Sequence, residues 1–268
     1  MELASRRREA TVTGADVRVA GVGMTPFGEQ PERTTRELFG AAAREAIEDA
    51  GIASTAVEEL FYGNFMGAIA ENQGHQGPMA ADAAGIDAPA TRVESACASS
   101  GAAIRQGVRA IRAGADLVLA GGAERMTNLS TPEGTRGLAG AADALWESRA
   151  GVTFPGAYAL MARRYFAEYG GDRRDLAHIA VKNHGNAVDN ELAQFQRSIT
   201  VEDVLEATPV CSPFGLFDCS PMSDGAGAVV LASADAVTER DLDARVAVAG
   251  TGQGSDRFAL QERAELAR

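Results

Sequence analysis

The chain has 268 residues, of which 46% are hydrophobic and 6% aromatic, so it can bury one large core or two smaller ones built mainly from small side chains. Its formal net charge of -12 argues against nucleic acid and against an anionic membrane as partners. Because the three cysteines form no disulfide framework, and neither a signal peptide nor an apolar run of spanning length is visible, we expect a cytoplasmic protein.

Residues 1–15 are predicted to form a flexible tail, since three consecutive arginines are followed at once by Glu9 and a transit peptide would avoid acidic residues. Residues 17–24 form an apolar run, which predicts a buried first strand. This run contains Gly-Val-Gly, but it lacks the third glycine of a dinucleotide-binding loop and Pro26 interrupts it, so no nucleotide site is expected there.

Strands and helices then alternate along the chain. Thr34 forms a capping box with Glu37 and begins a helix that ends at Gly51. The further elements predicted are strands over residues 60–65, 90–94 and 116–122 and helices over residues 76–84 and 97–113. The βαβαβαβ order with short links favours an α/β fold, with a mainly parallel sheet covered by helices on both faces.

Cys97 lies where a predicted strand gives way to a helix. The unpaired N–H groups and the partial positive charge at a helix N-terminus favour the thiolate, which is the nucleophilic form of cysteine. Residues 98–103 are all small, which leaves room for a substrate over the sulfur and backbone N–H groups to stabilise an oxyanion. The alternative is that Cys97 is a buried apolar filler, the commoner role of a free cysteine.

Residues 125 to about 156 show no hydrophobic period, and we expect a functional loop or a lid there. Helices are predicted over residues 157–169 and after Asp172. The apolar stripe of the second helix includes Asn183 and His184, so these polar side chains need partners or line a wet cavity. Both interpretations of His184 stay open, a hydrogen-bonded core histidine and a histidine that lines a site.

Residues 218–225 are rich in turn-forming residues and lead into a buried strand over residues 226–233, which we expect to close the sheet. Asp218 and Asp224 are predicted to be turn and cap residues rather than catalytic acids. A strand is predicted over residues 245–250. A last helix is then predicted from Ser255 or Asp256, with Leu260, Ala264 and Ala267 on one side.

No metal site is predicted, because the three histidines are scattered and no cysteines stand at ligand spacing. Cys211 and Cys219 are interpreted as structural. His75 is interpreted as a surface histidine on a loop, with a substrate contact as the alternative.

Four motifs together resemble those of thiolases. In chain order they are residues 94–101 (Glu-Ser-Ala-Cys-Ala-Ser-Ser-Gly), 120–126 (Ala-Gly-Gly-Ala-Glu-Arg-Met), 182–184 (Lys-Asn-His) and 218–226 (Asp-Cys-Ser-Pro-Met-Ser-Asp-Gly-Ala). In order and spacing the chain looks most like archaeal and sterol-carrier-protein-type thiolases, over about residues 17–255. The resemblance implies a thiolase-like fold, with a division of the chain into an N-terminal domain at residues 16–236, a loop region within it at residues 125–215, and an incomplete second repeat at residues 237–268.

The resemblance also implies a chemistry. Cys97 would take an acyl group from an acyl-CoA as a thioester, and a second acyl-CoA would attack it to form a 3-oxoacyl-CoA, with thiolysis as the reverse reaction. Coenzyme A thioesters would be the substrates, with no further cofactor. The loop region would cover CoA, and Phe154, Tyr158, Asn183 and His184 would line its channel. A homo-oligomer or a complementing second subunit is the partner that the family implies.

One departure from the family counts against full activity. In thiolases a histidine in a Gly-His-Pro motif and a second cysteine in a Cys-x-Gly setting handle the protons, and this sequence contains neither motif. We therefore expect an impaired catalyst, since general-base help is worth about 10²–10⁴ in rate. One alternative is a non-catalytic thiolase-like subunit that binds acyl-CoA or serves as a scaffold. Another is a cysteine-dependent ketoacyl or hydroxymethylglutaryl synthase, although the turn at residues 218–225 favours a thiolase.

Overall fold

The structure, a computed structural model, describes residues 16–265, so the tail predicted for residues 1–15 lies outside the described residues. The strands are β1 (Val17–Met24), β2 (Glu59–Gly63), β3 (Ala90–Val93), β4 (Leu117–Glu124), β5 (Pro209–Cys211), β6 (Phe214–Gly215), β7 (Gly225–Ser233) and β8 (Val246–Ala247). The α-helices are α1 (Thr35–Asp49), α2 (Gly67–Ala70), α3 (Gln76–Ala84), α4 (Ser99–Arg112), α5 (Thr131–Leu138), α6 (Phe154–Tyr169), α7 (Arg173–Ala187), α8 (Val201–Glu206) and α9 (Ala234–Glu239).

A mixed sheet in the spatial order β3-β2-β4-β7-β1-β8 forms the centre of the fold. β2 pairs in parallel with β3 and β4, while β7 lies antiparallel between β4 and β1. Strands β1 to β4 therefore point the same way, which confirms the mainly parallel sheet. β7 lies inside this sheet and does not form its edge; β8 occupies the edge and pairs with β1 only at Arg18 and Val19.

Helices cover both faces of the sheet, as predicted. Along β4, Leu117 and Leu119 belong to the core that α1 and α3 cover, whereas Val118 and Ala120 belong to the core under α4. This alternation follows from the two-residue period of a strand. Because β4 is buried on both sides, its sequence is a continuous run of apolar and small residues.

The Gly-Val-Gly of β1 is explained by the close approach of a helix. A Cβ atom on Gly21 would lie 2.2 Å from the carbonyl oxygen of Ala46, and one on Gly23 would lie 2.1 Å from that of Ala42. Glycine at these two positions lets the backbone of α1 lie directly against the strand. These glycines serve packing, in agreement with the sequence analysis, which expects no nucleotide loop here.

Local signals fix several helix ends as predicted. Thr34 and Glu37 form the expected capping box of α1, and Asp172 caps α7. Gly85 ends α3 in the left-handed conformation, with φ of +68°. Helices α7 and α8 share a small separate core within residues 125–215, formed by Ala177, Ala180, Ile199 and Val204.

Two predictions of secondary structure are wrong. Residues 125–156 are not an irregular loop, because they contain α5 and a π-helical turn at Ala144–Ser148. The helix predicted from Ser255 or Asp256 does not form within the described residues, where only a 3₁₀ turn at Leu260–Glu262 follows; Ala267 lies outside them. No helix in the described part of the chain is long and apolar enough to cross a membrane.

Candidate active site

Cys97 lies in a tight turn between β3 and α4. A 3₁₀ turn at Ala96–Ala98 precedes α4, so the α-helix begins two residues later than predicted. Ala96 has a φ of +46°, in the left-handed region that a residue with a side chain rarely adopts. The side chain of Cys97 is exposed, so it is not a buried apolar filler.

Hydrogen bonds hold this turn on both sides of the sulfur. The Ser99 hydroxyl donates to the carbonyl of Ala96 at 2.6 Å and accepts from the N–H of Ser95 at 2.9 Å. The Glu94 carboxylate accepts from the N–H of Ala96 at 2.6 Å. These contacts compensate for the unfavourable backbone of Ala96 and fix the turn that carries Cys97.

The start of α4 lies directly against the sheet. A Cβ atom on Gly63 of β2 would lie 2.5 Å from the backbone nitrogen of Ser100, and one on Gly122 of β4 would lie 2.3 Å from the Ser100 hydroxyl oxygen. Glycine at both strand positions therefore sets the depth at which the helix N-terminus, and with it Cys97, approaches the carboxyl ends of β2 and β4.

Cys97 opens into a cavity of about 700 Å³. Its floor is formed by the parts of β1, β4 and β7 that face the same side as α4, and large side chains surround it: Phe27, Phe65, Met66, Met126, Leu138 and Leu192. The ionisable residues among those that line it are Glu45, Cys97 and Glu124. A mostly apolar cavity of this volume matches sites that hold organic ligands.

Glu124 ends β4 at the rim of the cavity. Its carboxylate accepts hydrogen bonds from the N–H groups of Phe65 and Met66 and, at 3.1 Å, from the side-chain amide of Asn64. Burial raises the pKa of Glu124 above the ordinary glutamate value, although these backbone hydrogen bonds and the charge of Arg92 act in the opposite direction.

Asp224 is fully buried and joins three loops beside the cavity. Its carboxylate accepts from the N–H groups of Gln30 at 2.9 Å, Met126 at 2.7 Å and Thr127 at 2.9 Å, and from the Thr127 hydroxyl. Burial alone would raise the pKa of Asp224, but the hydrogen bonds from Thr127, Met126 and Gln30 hold it below the ordinary aspartate value. Asp224 is therefore a bridging residue, a wider role than the turn or cap residue predicted from the sequence.

The comparisons with known proteins agree with this fold. A family model, the thiolase N-terminal domain, matches residues 17–235. The chain belongs to the thiolase family. It is 44% identical to an acetyl-CoA acetyltransferase of Methanothermobacter thermautotrophicus, covering 94% of this chain and 66% of that protein. It is 31% identical to sterol carrier protein 2 of Gallus gallus, covering 87% of this chain and 44% of that protein.

A solved structure titled Ltp2-ChsH2(DUF35) aldolase has a similar fold, with a TM-score of 0.78 and 28% identity over 96% of this chain and 66% of that one. The resemblance to thiolases and the α/β thiolase-like fold are thus confirmed. This thiolase chain spans about two thirds of the length of the acetyltransferase and of the aldolase chain.

The other predicted site residues of this chain lie apart from Cys97. His184 is half-buried; its Nδ1 lies 3.2 Å from the carbonyl oxygen of Arg197, and its ring packs against Phe195 and Phe217. This matches the interpretation of a partnered histidine. The placement of Asn183 on the apolar face is wrong, because Asn183 is exposed and the buried residues of α7 are alanines.

Phe154 and Tyr158 lie in a second cavity of about 140 Å³, to which Phe258 and Leu260 also contribute. Neither they nor Asn183 and His184 are among the described residues that line the Cys97 cavity. A role for these four residues in binding CoA stays a prediction. His75 is exposed, as expected, at the start of α3.

The remaining cysteines are unpaired thiols of intermediate exposure. Burial raises the pKa of Cys219, and the nearby Asp218 and Cys211 raise it further. Within residues 16–265 no group of three or more His, Cys, Asp or Glu side chains is placed to hold a metal ion.

Four residues that shape the cavity were not predicted from the sequence, namely Asn64, Arg92, Ser99 and Glu124. Glu124 and Ser99 stand inside the motifs that carry the resemblance, so their positions were marked but their contacts were not. Asn64 and Arg92 act through the backbone of a turn, which leaves no pattern in the sequence.

Proposed function

We propose that this chain carries the nucleophile of a thiolase-type acyl transfer between acyl-CoA thioesters. The observation that supports the proposal is the exposed Cys97 sulfur, held at the start of a helix and opening into a large apolar cavity. The apolar walls suit an acyl group and the end of a pantetheine arm, which have no charge to pair. The names of the related acetyltransferases support the same chemistry.

The reaction has two halves. The Cys97 thiolate attacks the thioester carbonyl of an acyl-CoA, the carbon–sulfur bond to CoA breaks, and CoA leaves with a proton, so that an acyl-enzyme remains. The α-carbon of a second acyl-CoA then gives up a proton to a base and attacks this thioester; the bond to the Cys97 sulfur breaks, so that 3-oxoacyl-CoA is released and the Cys97 thiolate is regenerated. In the reverse direction the thiol of free CoA gives up its proton, attacks the acyl-enzyme and leaves as acyl-CoA, again freeing the Cys97 thiolate. The N–H groups at the start of α4 stabilise the oxyanion of each step.

We propose that the proton acceptor comes from outside the residues that line the described cavity. Of the ionisable groups there, Glu124 is engaged by three N–H donors and Glu45 by the N–H of Met24. A complementing subunit or a homo-oligomer would supply the acceptor. The aldolase structure, whose title names ChsH2(DUF35) beside Ltp2, makes a two-component assembly a reasonable model.

The second candidate function is a non-catalytic subunit that binds acyl-CoA, and it is favoured because no histidine is among the described residues that line the Cys97 cavity. The two functions differ in whether CoA is released. The protein is mixed with excess acetyl-CoA, and free CoA is measured by chromatography while binding is followed by calorimetry. An initial release of about one CoA per chain supports acyl transfer; binding without release supports the scaffold instead.

A further inference from the structure

The turn that follows β2 forms one wall of the Cys97 cavity. It begins at Asn64, which is fully buried, and its next residues, Phe65 and Met66, both line the cavity. Met66 is itself 1% exposed, and a Cβ atom on Gly137 of α5 would lie 2.5 Å from its terminal methyl carbon. The wall is therefore backed by α5, and its shape depends on where the backbone of the turn is held.

The N–H groups of this turn are held by one carboxylate. The N–H groups of Phe65 and Met66 and the side-chain amide of Asn64 all donate to Glu124, with the Met66 and Asn64 contacts at 3.1 Å. In the alternation of β4, Glu124 falls on the side of Val118 and Ala120, which is the side of α4 and Cys97.

The amide of Asn64 has a single orientation that satisfies all of its groups. Its nitrogen also donates to the carbonyl of Ala123 at 2.9 Å, and its oxygen accepts from the N–H of Gly67 at 3.0 Å. A reversed amide would place donor against donor at Gly67 and acceptor against acceptor at both Ala123 and Glu124.

The carbonyl groups of the turn are held from the opposite side by Arg92 of β3. Its Nε and Nη2 donate to the carbonyl of Asn64 at 3.1 and 3.0 Å, and Nη2 donates to that of Phe65 at 3.1 Å. The backbone of the turn thus lies between a carboxylate that binds its N–H groups and a guanidinium that binds its carbonyls. Charge-assisted contacts of this kind are the strong ones among hydrogen bonds.

We infer that Glu124 is a positioning residue for acyl-CoA: together with Asn64 and Arg92 it fixes the Phe65–Met66 wall beside Cys97. Both of its oxygens are engaged by donors of the turn, so it shapes the cavity and does not move protons. This inference rests on the proposed function, because the ligand that the wall contacts is the acyl-CoA of that reaction. It predicts that loss of the carboxylate weakens binding and leaves the nucleophile intact.

The test uses Glu124→Gln, which keeps the shape of the side chain and replaces one acceptor oxygen by an NH₂ group that faces N–H donors. We expect the acetyl-CoA concentration for half-maximal acylation of Cys97 to rise roughly tenfold, the scale of one or two lost hydrogen bonds. Iodoacetamide reacts with Cys97 without needing the acyl site. Its alkylation rate should therefore stay within about twofold of that of the unaltered chain, a smaller change than the loss of one hydrogen bond would produce.

Two further variants make the result specific. Glu37→Gln removes an exposed carboxylate that caps α1, outside the residues that line the cavity, and should change neither readout. Arg92→Lys keeps the charge but loses the bidentate hydrogen bonds to the turn carbonyls. It should raise the acetyl-CoA concentration for half-maximal acylation, but by less than Glu124→Gln does.

Unchanged half-saturation in Glu124→Gln overturns the inference. So does a slower acylation at unchanged half-saturation with a shifted pH profile, because that result assigns Glu124 to proton transfer. If the unaltered chain is not acylated at all, the proposed function fails, and the inference is then judged on coenzyme A binding by calorimetry and on amide exchange at Phe65 and Met66. Weaker binding with faster exchange in Glu124→Gln supports it, and no change in both overturns it.

Discussion

The Ser99 hydroxyl accepts a hydrogen bond from the backbone N–H of Ser95 at 2.9 Å, across the turn that presents Cys97. The same hydroxyl donates to the carbonyl of Ala96, whose backbone is in the left-handed region. Ser99 is buried, so water does not replace these contacts if they are lost. The geometry of the nucleophile therefore depends on one serine hydroxyl two residues after it.

Removing this hydroxyl in Ser99→Ala should loosen the turn. We expect the free energy of unfolding to fall by about 1–3 kcal/mol, because the Ser95 N–H is left without its acceptor in a partly buried position. The rate of Cys97 acylation by acetyl-CoA should fall as well, because the sulfur is no longer held in one place. Urea unfolding and single-turnover acylation measure the two effects.

Ser233→Ala is the matched control for this change. Ser233 also makes two hydrogen bonds through its hydroxyl, to Asp116 and from the N–H of Ala236, but at the opposite end of the central strands. It should lose stability to a similar extent and keep the acylation rate. Equal losses of rate in both variants would show that Ser99 acts only through general stability.

Asp224 should make stability depend on pH. Its folded-state pKa is held below the ordinary value, so its contribution is fully present above the unfolded pKa of about 3.9 and is lost as the pH falls through the folded pKa. Asp224→Asn places an NH₂ group against the N–H of Gln30 and should cost about 2–4 kcal/mol at pH 7. The difference between the two chains should shrink below about pH 4, which urea unfolding at a series of pH values measures.

Asp243→Asn serves as the comparison for this titration. The pKa of Asp243 is also lowered, by its hydrogen bond and ion pair with Arg245, but both side chains are exposed. Exposed ion pairs contribute little to stability, so this variant should unfold like the unaltered chain across the pH range. If the free energy of unfolding of Asp224→Asn falls at low pH as steeply as that of the unaltered chain, the bridging role of Asp224 is refuted.

The glycines of β1 should tolerate no side chain. In Gly23→Ala the new Cβ would lie 2.1 Å from the Ala42 carbonyl oxygen and 2.6 Å from the Ala46 nitrogen, both of them backbone atoms of α1. The helix must move away, and we expect a loss of about 3 kcal/mol or more in thermal or urea unfolding. Gly227→Ala on the neighbouring strand, whose Cβ would meet no atom closer than 4.0 Å, should keep or slightly raise stability. Similar stability in the two variants would contradict the close packing of α1 on β1.

Local chemistry explains the parts of the fold that are predictable from the sequence. The capping box of Thr34 and Glu37 and the cap at Asp172 each depend on residues within one turn of one another, so they were predicted at the residues observed. The strand–turn–helix around Cys97 was predicted for the same reason. The place of β7 between β4 and β1 was not, because strand order depends on pairings between residues far apart in the chain.

The missed helix and the misplaced Asn183 have a common cause, since both faces are built from very small residues. α5 packs through Gly134 against Met222 and through Gly137 against Met66, so it has no hydrophobic period, and only its Ser130 capping box and Pro132 mark it. On α7 the sequence period was drawn through Ile179, which is 53% exposed, whereas the buried residues are alanines. Periodicity arguments give weight to large apolar residues and fail where alanine and glycine form the contact.

The most direct test of the account is the mass spectrum of the chain after incubation with acetyl-CoA. Trypsin separates the cysteines, because residues 93–105 contain Cys97 alone, while Cys211 and Cys219 both lie in residues 198–240. We predict one acetyl group on residues 93–105, none on residues 198–240, and none on either peptide in Cys97→Ser. An unmodified 93–105 peptide at saturating acetyl-CoA, with or without a complementing subunit, would contradict the acyl-enzyme and leave a thiolase-like binding subunit as the function.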